Sequence, residues 1–166
     1  MMNEDLIRQT VEAVLSGTAS HTVQSKTEMS LSLATALIAR IEQKAAQQNM
    51  AVVVAVADKA GRPVAIHCMD GAYIGSFDIA LNKSYTSAAF KMSTKELGEL
   101  SRPDQSLYGI QFTNQGKVVI FGGGEPLKSG DEIIGALGVS GGTAKQDTDL
   151  AAYGREVLKE VISCLR

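Results

Sequence analysis

The spacing of apolar and polar residues predicts an alternation of helices and β-hairpins along most of the chain. From Ser30 to Ala45, apolar residues recur every three or four positions, which predicts an amphipathic helix. The segment 51–71, AVVVAVADKAGRPVAIHCMDG, predicts a β-hairpin, because a β-branched run is interrupted by turn residues and then resumes. Residues 76–90 return to helical spacing, and a capping-box pattern at 93–96 predicts another short helix that ends before Pro103.

The C-terminal half repeats the hairpin pattern and closes on a helix. KVVIFGGG, residues 117–124, is expected to be a strand that runs into three glycines, and EIIGALGVSGG, residues 132–142, is expected to be its partner across a turn at 128–131. An amphipathic pattern over 147–165 predicts the last helix. Because the strands come as hairpins, we expect an α/β protein of the α+β type, with a mostly antiparallel sheet flanked by helices.

The first 29 residues have a different character from the rest. EDLIRQTVEAVLS, residues 4–16, predicts a separate amphipathic helix whose apolar face includes Leu6, Ile7, Val11 and Leu15. The next residues are rich in Ser and Thr, as in a flexible linker. The sequence therefore predicts three parts: a helix at 1–16, a linker at 17–29 and a domain at 30–166.

Composition narrows the class of protein. The chain has 166 residues, 45% of them hydrophobic, and a formal net charge of −2, so one globular core is expected and no nucleic-acid surface is indicated. Cys68 and Cys164 form no CxxC pair and the N-terminus has no secretory pattern, which favours a cytoplasmic location. The longest apolar run, Ala51 to Ala57, is far shorter than the roughly 20 residues of a membrane span, so no membrane association is expected.

Two groups of glycines are candidate ligand-binding positions. Gly141 and Gly142 lie between a strand and a helix whose first turn includes Asp147, so their amides are placed to hold a carboxylate or phosphate. A simple tight turn is the favoured alternative. Gly122, Gly123 and Gly124 leave bare backbone for the close approach of a flat ligand or another subunit, or else form a bulge in a bent strand.

Lys83, His67 and Met69 are candidate binding side chains. Lys83 interrupts a helix face of small residues, Ser76, Ala80, Thr86 and Ser87, that suits close packing on a sheet. If it points inward it needs a carboxylate, a carbonyl or an anionic ligand; the favoured alternative is a surface lysine. Strand alternation puts His67 and Met69 on one face and Cys68 on the other, which argues against a zinc site and leaves His67 as a candidate axial ligand of haem iron, or a structural strand histidine.

Five motifs follow one another along the chain: the hairpin with its D-x-x-G turn, DGA-x-x-x-S, LNK-x-x-T-x-A, GGG-x-P-L and GALGVSGG. In these motifs the chain resembles the GlcG/HbpS family, which includes the C-terminal domain of PduO proteins, over about residues 30–163. The resemblance implies a profilin-like fold, assembly into homo-oligomers and, in some members, haem binding. This sequence departs from the family at Cys68, where an Arg commonly precedes Met-Asp-Gly.

The N-terminal segment resembles the encapsulation peptides of bacterial microcompartments. Its apolar face would dock in a groove of a shell protein or another cargo helix, and folding back on its own domain or a sister subunit is the alternative. Because no nucleophile–base grouping, Walker loop or HExxH motif is present, a dedicated enzyme is disfavoured. The sequence thus favours a non-enzymatic haem- or tetrapyrrole-binding accessory protein, inside a microcompartment and linked to cobalamin-dependent metabolism; the alternative is an assembly protein without a small ligand.

Overall fold

The computed structural model describes residues 27–165, and over that range it contains two helical layers around one sheet. The helices are α1 (Leu31–Gln47), α2 (Ser76–Phe90), α3 (Thr94–Leu100) and α4 (Ala144–Cys164). The strands are β1 (Val53–Asp58), β2 (Pro63–Cys68), β3 (Gly124–Ser129) and β4 (Glu132–Ser140). No helix in this range is both long and apolar enough to cross a membrane.

The sheet is antiparallel throughout, with the strand order β2-β1-β4-β3. The hairpin β1–β2 is the one that the sequence predicts, whereas the hairpin β3–β4 keeps the predicted second strand but has a different first strand. The two central strands, β1 and β4, join the hairpins. At the centre of the sheet, Val54 pairs with His67 on one side and with Val139 on the other. The predicted antiparallel α+β architecture is therefore confirmed.

The two faces of the sheet are packed differently. On one face, α1 and α4 cover a core of large aliphatic side chains, including Leu37, Ile41, Val54, Leu137 and Leu158. On the other face, α2 lies so close to β4 that a Cβ on Gly138 would collide with the Ala80 carbonyl. The predicted small-residue face of α2 is buried, with exposed fractions of 5% or less: Ser76, Ala80, Lys83, Thr86 and Ser87.

The strand expected at residues 117–124 is wrong for all but its last residue. The strand begins at Gly124 and continues to Ser129, and Pro126 is tolerated because β3 is an edge strand. Val119 is buried, as a strand residue would be, yet its N–H donates to the Thr86 hydroxyl at 3.0 Å and not to another strand. A side chain of α2 thus takes the place of a neighbouring strand, which an apolar run in the sequence does not reveal.

The termini of the predicted domain need small adjustments. Ser30, where the helical pattern was expected to begin, is the N-cap of α1. Met29, which the sequence places in the linker, is 7% exposed and belongs to the aliphatic core. The last helix begins at Ala144, three residues before the predicted start, because Thr143 and Gln146 form a capping box. The predicted targeting helix, with Leu6, Ile7, Val11 and Leu15, lies outside the described residues.

Candidate functional site

A buried ion pair joins α2 to α4 at the end of the sheet. Lys83 Nζ lies 2.7 Å from Asp147 Oδ2 and donates a further hydrogen bond to the Val139 carbonyl at 2.8 Å. The side chains are 0% and 4% exposed. Burial lowers the pKa of Lys83, and Asp147 acts in the opposite direction. The surface-lysine interpretation is therefore wrong, and Lys83 has the carboxylate and carbonyl that an inward lysine requires.

The glycine triplet makes room for this lysine. Gly123 has φ +116°, and a Cβ there would lie 2.6 Å from both Lys83 Nζ and the Val139 oxygen. Val139 donates its N–H to the Gly123 carbonyl at 2.8 Å, while its own carbonyl accepts from Lys83. Crowding at Gly122 and Gly124 is similar, because Cβ atoms there would meet Thr148 and Ser87. The bare backbone accommodates the chain's own ammonium group.

The second glycine pair also binds an internal carboxylate. The Gly142 N–H donates to Asp147 Oδ1 at 2.9 Å, so the carboxylate that it holds in this structure is the chain's own. Gly141 has φ +153°, and a Cβ would lie 2.5 Å from the Ala51 carbonyl oxygen, so this residue also makes a tight turn. The alternative of a tight turn thus describes Gly141, and binding of a ligand by this pair stays a prediction.

Two cavities open on either side of Gly141 and Gly142, and Tyr73 lines both. The cavity on the side of the ion pair has a volume of about 280 Å³ and is lined by Asp147, Ser76, Ser140, Ile79 and Phe121, among others. The one on the other side has about 530 Å³ and is lined by residues that include Met50, Ala51, Thr143 and Gln146. Phe121 lines the smaller cavity and its ring centroid lies 5.0 Å from Lys83 Nζ, whereas Lys83 itself is not among the lining residues.

His67 and Met69 lie elsewhere, at the edge strand β2. His67 Nδ1 lies 3.2 Å from Glu42 Oε1 of α1, and the histidine side chain is 41% exposed. Met69 packs against the aliphatic core beneath α1 and α4, whereas Cys68 is exposed. In the range 27–165, no three His, Cys, Asp or Glu side chains are grouped so as to hold a metal ion.

The candidate residues therefore fall into two separate groups. Lys83 and Asp147 meet beside Gly123 and Gly142, whereas His67 lines neither of the two cavities. Asp147 is the residue whose role the sequence did not specify, although it was named as part of the first turn of the helix. A lysine buried on a helix face that carries no carboxylate needs a carboxylate from another element, and this requirement is the signal that points to Asp147.

Comparison with known proteins places this architecture in a family. A family model described as "Haem degrading protein HbpS-like" matches residues 29–156. The chain belongs to the HbpS-like family. A 15.0 kDa protein from the dhaT–dhaS intergenic region of Citrobacter freundii is 41% identical over 80% of this chain and 94% of its own length. The corrinoid adenosyltransferase PduO of Salmonella typhimurium is 39% identical over 66% of this chain, but only 32% of that enzyme is matched.

Solved structures share the HbpS-like fold. The protein ORFY of Klebsiella pneumoniae has a TM-score of 0.78 at 39% identity and is aligned over 85% of this chain and 98% of its own. The complex of PduOC with haem has a TM-score of 0.75 at 35% identity and is aligned over 78% and 94%. The crystal structure of HbpS is 23% identical in sequence to this chain and has a TM-score of 0.71, so the two proteins share the fold.

Proposed function

We propose that this HbpS-like chain is a non-enzymatic accessory protein that binds haem or a related tetrapyrrole, with His67 as an iron ligand. The observation that carries the proposal is the contact between His67 Nδ1 and Glu42 Oε1. A carboxylate that holds one ring nitrogen fixes the tautomer and leaves the other nitrogen for a metal. The likeness to PduOC, which has been crystallised with haem, supports the same ligand class.

The surroundings of His67 fit the group. The imidazole is half exposed on an edge strand, so a flat macrocycle is able to approach from outside the sheet. Met69 packs against the aliphatic core, which leaves His67 as the ligand that this proposal rests on. Bound haem would supply its iron chemistry, while Glu42 would orient the imidazole. A histidine that activates a nucleophile contacts a hydroxyl or a thiol, whereas His67 contacts a carboxylate, and this supports a binding role.

Titration of the purified full chain with hemin tests the proposal. The wild type is expected to give a shifted Soret band at one equivalent, and His67→Ala should abolish the shift. His21→Ala is the matched control, because His21 is the other histidine of the chain, and it should behave as wild type. Glu42→Gln should weaken binding by about 10-fold or more through loss of the orienting carboxylate. An unchanged Soret shift in His67→Ala would refute the assignment of the ligand, and no shift in the wild type would refute haem binding.

An assembly role is the second candidate, favoured by exposed apolar residues. Tyr73, Ile74 and Phe77 precede or begin α2 with exposed fractions of 74%, 97% and 43%, and Phe121 across the small cavity is 45% exposed. Monomeric proteins rarely expose such a group of large apolar residues, so we expect these residues to be buried between the subunits of a homo-oligomer. Light scattering of Ile74→Glu should then show a smaller particle than the wild type. An unchanged particle mass would count against this surface as the interface.

We also propose that the N-terminal segment is a targeting segment. Leu6, Ile7, Val11 and Leu15 would dock the chain on a microcompartment shell or another cargo protein and link it to cobalamin-dependent metabolism. Residues 1–20 fused to a fluorescent protein should collect in shells when the two are produced together. The fusion with Leu6 and Val11 both changed to Glu is the control, and equal distribution of the two fusions would refute targeting.

A further inference from the structure

The smaller cavity has a polar floor that the haem proposal does not use. Asp147, Ser76 and Ser140 line it, and these residues are only 3%, 5% and 4% exposed. Two hydroxyls and a carboxylate are thus buried at the bottom of an opening that a small molecule is able to enter. Buried polar groups normally have at least one hydrogen-bond partner, and these three have theirs within the chain.

The floor has hydrogen-bonding capacity to spare. A carboxylate offers about four acceptor positions, and Asp147 uses one for the Gly142 N–H and one for Lys83 Nζ. The Ser140 hydroxyl donates to Ser76 at 3.2 Å, and each hydroxyl has a donor and two acceptor positions. The cavity therefore presents both acceptors and a hydroxyl to whatever occupies it.

The charges of the floor select against ions. Lys83 neutralises Asp147, so the pair carries no net charge to compensate a bound cation. An anion would lie next to Asp147, which lines the cavity, whereas the Lys83 side chain is 0% exposed and its ammonium group lies 5.0 Å from the centroid of the Phe121 ring. A neutral ligand avoids both penalties, because moving a charge into a buried site without a partner is costly.

The walls and the size limit the ligand further. Ile79, Tyr73 and Phe121 supply apolar surface for a short carbon skeleton. The volume of about 280 Å³ lies below the roughly 300–1,000 Å³ of cavities that hold drug-sized ligands. We propose that this cavity binds a small neutral molecule with neighbouring hydroxyl groups, which donate to Asp147 and accept from the Ser76–Ser140 pair while the carbon atoms contact the aromatic walls.

Saturation-transfer NMR with butane-2,3-diol as the probe tests this site in the full chain. Butan-2-amine and butanoate are the charged comparators with the same number of carbon atoms. The diol should receive saturation from the protein, and both ions should receive much less. Ser140→Ala should weaken diol binding by about fivefold, the cost of one lost hydrogen bond. Stronger transfer to either ion than to the diol would refute the proposed ligand class.

A cavity-filling variant with a matched control locates the binding. Ala144 is exposed at the start of α4 and lines the cavity, so Ala144→Phe should fill it and abolish transfer to the diol. Ala46 is exposed in α1 and lines neither of the cavities described above, so Ala46→Phe should bind the diol as wild type does. Equal transfer in Ala144→Phe, or none in the wild type, would overturn the proposal. The His67→Ala variant should retain diol binding, which separates this site from the haem proposal.

Discussion

Replacing Lys83 by methionine should remove much of the stability of this domain. The change leaves the Asp147 carboxylate, 4% exposed, with the Gly142 N–H as its remaining described partner. Breaking a buried ion pair by removing one partner typically costs about 3–5 kcal/mol, because the other charge stays buried. Domains of this kind have a free energy of unfolding of about 5–15 kcal/mol, so the loss is a large fraction of the total.

Urea unfolding followed by circular dichroism at 222 nm measures this loss. With a denaturant slope of about 2 kcal/mol per molar, a loss of 4 kcal/mol lowers the midpoint by roughly 2 M. Asp147→Asn should cost a similar amount, since Lys83 then keeps the Val139 carbonyl but no carboxylate. The double variant contains neither charge, so it should cost about 2–3 kcal/mol less than the sum of the single variants.

A surface pair of the same residue types provides the control. Lys145 and Asp149 are 2.6 Å apart but 84% and 56% exposed, so Lys145→Met should cost less than about 1 kcal/mol. The reasoning about burial is refuted if Lys83→Met lies within about 1 kcal/mol of the wild type, or if the effects of Lys83→Met and Asp147→Asn add in the double variant. The double variant keeps the test usable if a single variant does not fold.

Three further predictions concern the surroundings of the site. Gly123→Ala should lower the free energy of unfolding by about 3 kcal/mol or more, because it combines a positive φ with a collision at Lys83, and urea unfolding checks it. Burial raises the pKa of Glu125 although Arg155 opposes this, so the folded state binds the proton more tightly than the unfolded state does. Relative to Glu125→Gln, the free energy of unfolding of the wild type should therefore fall as the pH rises from 4.5 through the raised pKa, and a rise over that range would refute this. Ser93→Ala removes the cap of α3 and should cost about 1 kcal/mol, whereas Ser93→Thr, which keeps a hydroxyl to accept from and donate to Glu96, should retain most of the stability in the same assay.

The fold was largely predictable because its signals are local. The hairpin at 51–71, the helix at 76–90 and the capping box at 93–96 each depend on spacing within one segment, and each is confirmed. The strand expected at 117–124 failed because Val119 finds its hydrogen-bond partner in the Thr86 side chain. Such a contact between distant segments leaves no periodic trace in the sequence.

The candidate site was predictable residue by residue but not as an arrangement. The sequence identified Lys83 and the two glycine groups, yet it could not place Lys83 inside or show that Gly142 donates to the chain's own Asp147. Whether Lys83 is buried or exposed depends on whether the fold brings an acceptor within reach, and Asp147 is 64 residues away along the chain. His67 shows the same limit, since its partner Glu42 comes from another element 25 residues away.

The glycines of this site are best explained by the ion pair, and this bears on ligand binding. Gly123 leaves space for Lys83, and Gly142 donates to Asp147, so the carboxylate is held from two sides before any ligand arrives. Groups already fixed in position lose little conformational entropy when a ligand binds, which favours affinity even for a small molecule. A larger residue at Gly123 should therefore reduce both stability and diol binding, whereas Ala144→Phe, at an exposed position, should reduce only the binding.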